Sequence, residues 1–187
     1  MEGTGEASPA TRRQRRRILL ATGASALTGG AAMILRRDGV IIPHPHGSPL
    51  QVDLEKLPEG KLLTVEWQGK PVWVLRRSAT QIARLALNEN ELSDPESAFS
   101  LQPNACRNRH RSLRPEFFVA IGLCTHQGCT PALLADEGFL CPCHTSKYDL
   151  AGRVFKVGPA TLNLVIPAYR FNGENRVEIG VDAEAVA

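Results

Sequence analysis

The sequence predicts a mainly β chain, an antiparallel β domain carried on a single N-terminal helix, and three observations predict it. Near the N-terminus an uncharged run, 18 residues from Ile18 to Leu35, lies between arginine groups. Beyond it the apolar residues fall into short runs rich in Val, Leu, Trp and Phe, bounded by turn formers. Gly 16 and Pro 13 in 187 residues supply the many turns such a fold needs. A hydrophobic share of 43% excludes a disordered or collagen-like chain, and the length suits one compact domain.

Arg12, Arg13, Arg15, Arg16 and Arg17 precede the uncharged run, and Arg36 and Arg37 follow it. As a helix the run would reach about 27 Å, close to the roughly 30 Å of a bilayer's hydrocarbon core. Residues 1–17 are read as a cytoplasmic basic segment and 18–37 as a transmembrane anchor. The excess of arginine on the N-terminal side places everything beyond residue 37 outside the cytoplasm. Arg15-Arg16-Arg17-Ile18-Leu19 also fits a twin-arginine export signal. Ala24-Ser25-Ala26 offers a cleavage site, but cutting there would leave the apolar Leu27–Leu35 as a new terminus, so retention of the anchor is expected. The expected location is the bacterial inner membrane, single-pass, with the folded domain in the periplasm. Residues 38–49, with Pro43, Pro45, Gly47, Ser48 and Pro49, read as a hinge linker, and His44 and His46 as solvated linker residues.

The folded domain is expected over 50–187. Leu62–Trp67 and Pro71–Arg77 read as strands of a hairpin across Gln68-Gly69-Lys70. Ser78 with Gln81 is a capping-box pattern, predicting a short helix from Ala79 to Leu87. Asn88–Arg114 is polar and aperiodic, an irregular excursion. Phe117–Leu123 is a continuous apolar run, hence a buried strand; Leu164–Phe171 and Arg176–Val181 flank the turn Asn172–Asn175.

The formal charge is +3, yet the residues after Arg37 hold 15 basic against 17 acidic side chains. A basic tail on a weakly acidic domain is not the footprint of a nucleic-acid binder, and no nucleic-acid partner is expected.

Four of the five cysteines fall in two short segments, Cys124-Thr125-His126-Gln127-Gly128-Cys129 and Cys141-Pro142-Cys143-His144-Thr145-Ser146, on either side of the turn Asp136-Glu137-Gly138. Each segment pairs a cysteine with a nearby histidine, Cys124 with His126 and Cys141 with His144, and has one cysteine to spare. Thiolate and imidazole together suit iron or zinc. Two cysteines and two histidines on metal with a disulfide between the loops would account for all six residues. A zinc-stabilised β module, the alternative, strands two of them.

These paired boxes resemble those of Rieske 2Fe-2S proteins. Anchor, linker and β domain together resemble the iron-sulfur subunits of cytochrome bc complexes over almost the whole chain. The resemblance implies a Rieske-type antiparallel β domain with a cluster-binding part inserted at about 121–162 and one 2Fe-2S cluster. It implies Cys124 and Cys141 on one iron, His126 and His144 on the other, and a disulfide between Cys129 and Cys143. Ser146 and Tyr148 match positions that donate hydrogen bonds to cluster sulfur, and Gly158, Pro159 and Ala160, followed by Asn163 and Leu164, match a loop that covers the cluster. His144 corresponds to the histidine that contacts quinol and accepts its proton.

With two neutral imidazoles in place of two thiolates the cluster is less negative and easier to reduce, in the range of about −150 to +300 mV, and hydrogen bonds to sulfur point to its upper half. Imidazole on iron lets an electron and a proton be taken together. The resemblance thus implies electron transfer from ubiquinol to a c-type cytochrome by movement of the head domain on its linker. The expected setting is a membrane-bound, dimeric, respiratory or photosynthetic complex with cytochrome b and c-type cytochrome subunits, a quinol-cytochrome c oxidoreductase and translocase. A small electron-relay subunit of an exported molybdoenzyme, resembling that of arsenite oxidase, is the competing reading. The sequence departs from the family at Gln127, where Leu is usual, Thr145, where Gly is usual, and Thr161, where Pro is usual. Cys106 is read as a structural thiol.

Overall fold

Leu62–Trp67 (β4) and Lys70–Arg76 (β5) pair antiparallel with Trp67 opposite Lys70. The two residues between them, Gln68 and Gly69, both have positive φ, 52° and 70°. That matches the twist of the flanking strands and makes the turn one residue tighter than the sequence suggests. Phe117–Ile121 (β6) pairs on the far side of β5. All five β6 residues are buried, so this strand is apolar throughout instead of alternating.

The structure, a computed structural model, describes residues 35–36, 39–40, 47–87 and 89–183, all within one compact unit. A second antiparallel sheet orders Tyr169–Phe171 (β10), Arg176–Ile179 (β11) and Leu50–Asp53 (β3). β3 alternates buried Leu50 and Val52 with exposed Gln51 and Asp53, a period-two pattern too short to register as a strand in the sequence. The strand expected from Leu164 begins only at Tyr169. Before it, the backbone N–H groups of Leu164 and Ile166 donate to Gly152 and Leu101, loops outside any ladder. A third sheet, Ala132–Leu133 (β7), Phe139–Leu140 (β8) and Lys147–Tyr148 (β9), carries the cysteine boxes at its ends. Phe139 stacks on Trp73 of β5 with centroids 4.9 Å apart and tilts against Phe118 of β6 at 6.1 Å. Burying such a ring contributes roughly 2–3 kcal/mol and fixes the third sheet on the first.

The helix α1 (Ala79–Arg84) starts as predicted: Gln81 N–H donates to Ser78 Oγ and Ser78 N–H to Gln81 Oε1. It ends three residues earlier than predicted, capped at Leu85. Its buried Gln81 donates through Nε2 to Asp136 Oδ1, tying α1 to the turn between β7 and β8.

Residues 89–114 are irregular apart from two single 3₁₀ turns. Three buried guanidiniums fix their path and the turn after β9. Arg77 donates to the carbonyls of Pro115, His110 and Leu150 and to Ser112 Oγ. Arg111 reaches the carbonyls of Ala151, Gly152 and Leu164. Arg153 pairs with Asp149 at 2.7 Å and donates to the Leu85 carbonyl. Burial lowers the Arg77 and Arg111 guanidiniums to about 10, Asp149 opposing the shift in both cases.

No helix among the described residues is long and apolar enough to cross a membrane. The export signal, the anchor up to residue 34 and linker residues 41–46 lie outside the described residues. Between them, Leu35–Arg36 (β1) and Gly39–Val40 (β2) form a two-residue antiparallel pair.

Candidate metal centre

The two cysteine boxes fold into loops with the same backbone bonding. In the first, Cys124 N–H donates to Cys129 O at 2.8 Å and Gly128 N–H to Cys124 O at 2.8 Å. In the second, Cys141 N–H donates to Ser146 O at 2.9 Å and Thr145 N–H to Cys141 O at 3.0 Å. Each loop therefore closes five residues after its first cysteine and turns at the fourth, where φ is positive: 77° at Gly128 and 59° at Thr145. Cys129 and Cys143 form a disulfide that joins the loops, with Cα atoms 6.6 Å apart.

The remaining thiols, Cys124 and Cys141, are 4% and 2% exposed. The His126 and His144 rings meet edge to face with centroids 4.8 Å apart, His126 half-buried and His144 exposed. The sulfurs of Cys129, Cys141 and Cys143 also lie within 4.8 Å of one another. A metal cannot use all three, because the disulfide leaves two of them without a thiolate to give.

Burial pushes the Cys124 thiol up, but hydrogen bonds from the Tyr148 hydroxyl, the His126 N–H, the Cys141 thiol and the Gln127 N–H outweigh it, and the group is held below the ordinary thiol range. Donors converging on one buried sulfur are the environment of a sulfur that carries charge. Tyr148, 1% exposed, lies with its hydroxyl 3.1 Å from Cys124 Sγ and 3.0 Å from Thr125 Oγ1. Burial and the Cys124 contact push that hydroxyl well above the ordinary phenol value, so it keeps its hydrogen to donate.

Ser146 is fully buried and its Oγ accepts from Ala160 N–H at 3.1 Å. Among the described residues no acceptor takes the hydroxyl's own hydrogen. Gly158, at φ 93°, lies so close that a Cβ there would stand 2.7 Å from Ser146 Cα. This is why the covering loop needs Gly at that position. The amide of Asn163 closes the loop: it accepts from Val154 N–H, donates to Asp94 O and Ser97 Oγ, and its backbone N–H donates to Ser100 Oγ.

The structure thus brings together Cys124, His126, Cys141, His144, Ser146, Tyr148 and the loop Gly158-Pro159-Ala160. Two reduced, buried thiols, two adjacent imidazoles, and hydroxyls aimed into the same end of the domain fit an iron-sulfur cluster with mixed ligands. Gln127, Thr145 and Thr161 are all exposed. Cys106 lies outside both loops, fully buried, its Sγ 3.8 Å from the Tyr169 hydroxyl, and burial pushes its thiol up. The sequence reading missed Thr125, whose hydroxyl donates to Leu162 O at 2.6 Å, because a threonine between two ligand candidates reads as a spacer.

Residues 50–170 match the Rieske 2Fe-2S domain family. The ubiquinol-cytochrome c reductase iron-sulfur subunit of Allochromatium vinosum is 46% identical over 147 residues, covering 73% of this chain and 71% of that protein. The protein of the same name from Bradyrhizobium diazoefficiens is 39% identical over 172 residues, covering 87% and 92%. A chain of a solved structure described as a hyperthermophilic respiratory Complex III overlays with a TM-score of 0.46 at 23% identity, covering 68% of this chain and 71% of that one. A 2Fe-2S domain match over most of the folded region, with curated relatives this similar over most of their length, places the chain in the Rieske family, among the iron-sulfur subunits of ubiquinol-cytochrome c reductase.

Proposed function

We propose that this chain is the electron-accepting Rieske subunit of a quinol-cytochrome c oxidoreductase, with Cys124 and Cys141 on one iron of its cluster and His126 and His144 on the other. The observation that carries the reading is the split among the cysteines: two are consumed in a disulfide between the loops, and two remain buried beside a pair of histidines. The cluster supplies a site for one electron. Around it, Tyr148 and Ser146 offer hydroxyl hydrogens to sulfur, which favours the electron-rich state and hence a potential in the upper half of the Rieske range.

His144 is the more exposed of the two histidines, so the proton from ubiquinol is held at its outward ring nitrogen. The electron then passes to a c-type cytochrome, delivered by movement of the head on residues 38–49. Cytochrome b and c-type cytochrome are the partners, in a dimeric complex. The disulfide suits an oxidising compartment and supports placement of the domain in the periplasm. The basic segment 1–17 and the anchor 18–37 support a single pass of the inner membrane.

Purification of the full chain from membranes tests the assignment. It should bring b- and c-type haem and two irons with two acid-labile sulfides per chain, and reduction should give the low-average-g resonance of mixed ligation. Molybdenum in place of haem would favour the exported relay subunit instead. Zinc in place of iron would refute both readings. Stiffening the linker with added prolines should slow cytochrome reduction and leave the cluster spectrum unchanged.

A further inference from the structure

Three contacts in a row join the covering loop to the first cluster loop. Thr125 Oγ1 donates to Leu162 O at 2.6 Å, Thr125 Oγ1 meets the Tyr148 hydroxyl at 3.0 Å, and that hydroxyl meets Cys124 Sγ at 3.1 Å. Thr125 N–H also donates to the Tyr148 oxygen at 3.1 Å. With Cys124 as a metal-bound thiolate the sulfur brings no hydrogen of its own. Only two hydroxyl hydrogens, one on Thr125 and one on Tyr148, then serve three gaps, and one gap is always unfilled.

Which gap is unfilled depends on charge. An added electron makes the sulfur a stronger acceptor, which pins the Tyr148 hydrogen on Cys124 and makes the Tyr148 oxygen a better acceptor in turn. The Thr125 hydroxyl then gains most by turning from Leu162 O to Tyr148. In the oxidised state it remains on Leu162 O, at the short distance seen. Hydrogens only reorient in this exchange, and none is transferred between heavy atoms.

We propose that Thr125 is a positioning residue whose single hydroxyl hydrogen, shared between the Leu162 carbonyl and the Tyr148 oxygen, stabilises the reduced cluster and couples its charge to the seating of the loop 158–162. The inference rests on the ligand assignment above. Because Leu162 is 40% exposed, whatever presses on that loop also bears on the potential.

The full chain with its cluster is titrated as Thr125→Ser, which keeps the hydroxyl, and Thr125→Ala, which removes it. The same pair is then measured in a Tyr148→Phe background. Relative to Thr125→Ser, Thr125→Ala should lose about threefold in the one-electron reduction equilibrium, about 28 mV at 59 mV per tenfold. With Tyr148→Phe present the two should coincide. If Thr125→Ala does not retain its cluster, Thr125→Val replaces it. Equal potentials for the two variants, or a difference that survives Tyr148→Phe, would overturn the proposal. The mixed-ligand resonance, recorded in every sample, separates the two levels: its presence without a potential difference sinks only the role of Thr125. Its absence from the unsubstituted chain sinks the ligand assignment with it.

Discussion

The two cysteine loops share one backbone plan and differ in what surrounds them. Each closes with the same pair of hydrogen bonds and contributes one buried thiol, one histidine and one half of the disulfide. Yet the first is backed by Tyr148 and Thr125, and its histidine is half-buried. The second is backed by Ser146 under the covering loop, and its histidine is exposed. Repetition of the backbone builds a site with two like halves; inequality of the surroundings leaves one histidine sheltered and the other open to solvent.

The comparison is tested most severely at the thiols. Cys124→Ser and Cys141→Ser should each abolish iron incorporation, seen as complete loss of the visible spectrum; a cluster retained by either variant would break the assigned equivalence. Next comes the staple. Replacing both Cys129 and Cys143 with Ala should cost about 3 kcal/mol of stability, since the bridge closes a loop with a sequence separation of 14. Denaturant midpoints of the parent and double variant read this directly.

The hydroxyls come third. Tyr148→Phe and Ser146→Ala each remove one donor, worth about 1.4 kcal/mol, so each should lower the potential by about 60 mV. A loss from only one loop would show that the other hydroxyl is merely packed. Tyr148 also carries a pH signature. Its folded value lies above the ordinary phenol value of about 10, so the unfolded chain loses the hydrogen first. Its contribution is complete below about pH 10 and falls as pH rises beyond it. Tyr148→Phe should therefore flatten the alkaline loss of stability from about pH 10 upward.

The smallest effect lies at the matched turn positions. Thr145 is β-branched at a positive φ where its counterpart is Gly128. Thr145→Gly should stabilise the fold by about 1 kcal/mol and Gly128→Thr should destabilise it by a similar amount. A loss of stability in Thr145→Gly would mean that the bond from Thr145 Oγ1 to His144 O outweighs the strain.

What was legible in the sequence was what local chemistry dictates. The capping box at Ser78, the hairpin at Gln68-Gly69, the buried run of β6 and the cysteine boxes all signal within a few residues. β7, β8 and β9 did not, because two-residue strands carry no period and exist only through their partners. Leu164 to Ala168 read as strand from composition, yet the N–H groups of Leu164 and Ile166 serve neighbouring loops, a tertiary demand that propensity does not see. At the centre, residue types and spacing disclosed the candidate ligands, whereas Thr125 emerged only from distances.

The three buried guanidiniums grip mainly backbone carbonyl oxygens, and every residue type possesses one. Within 89–114, by contrast, they hold the His110 carbonyl and the side chains of Ser112, Gln102 and Glu89, so that stretch depends on a few particular residues and not on the rest. Side chains such as Phe99, 80% exposed and outside this clamp, are free to be exchanged for a label or an affinity handle while the covering loop stays at its post.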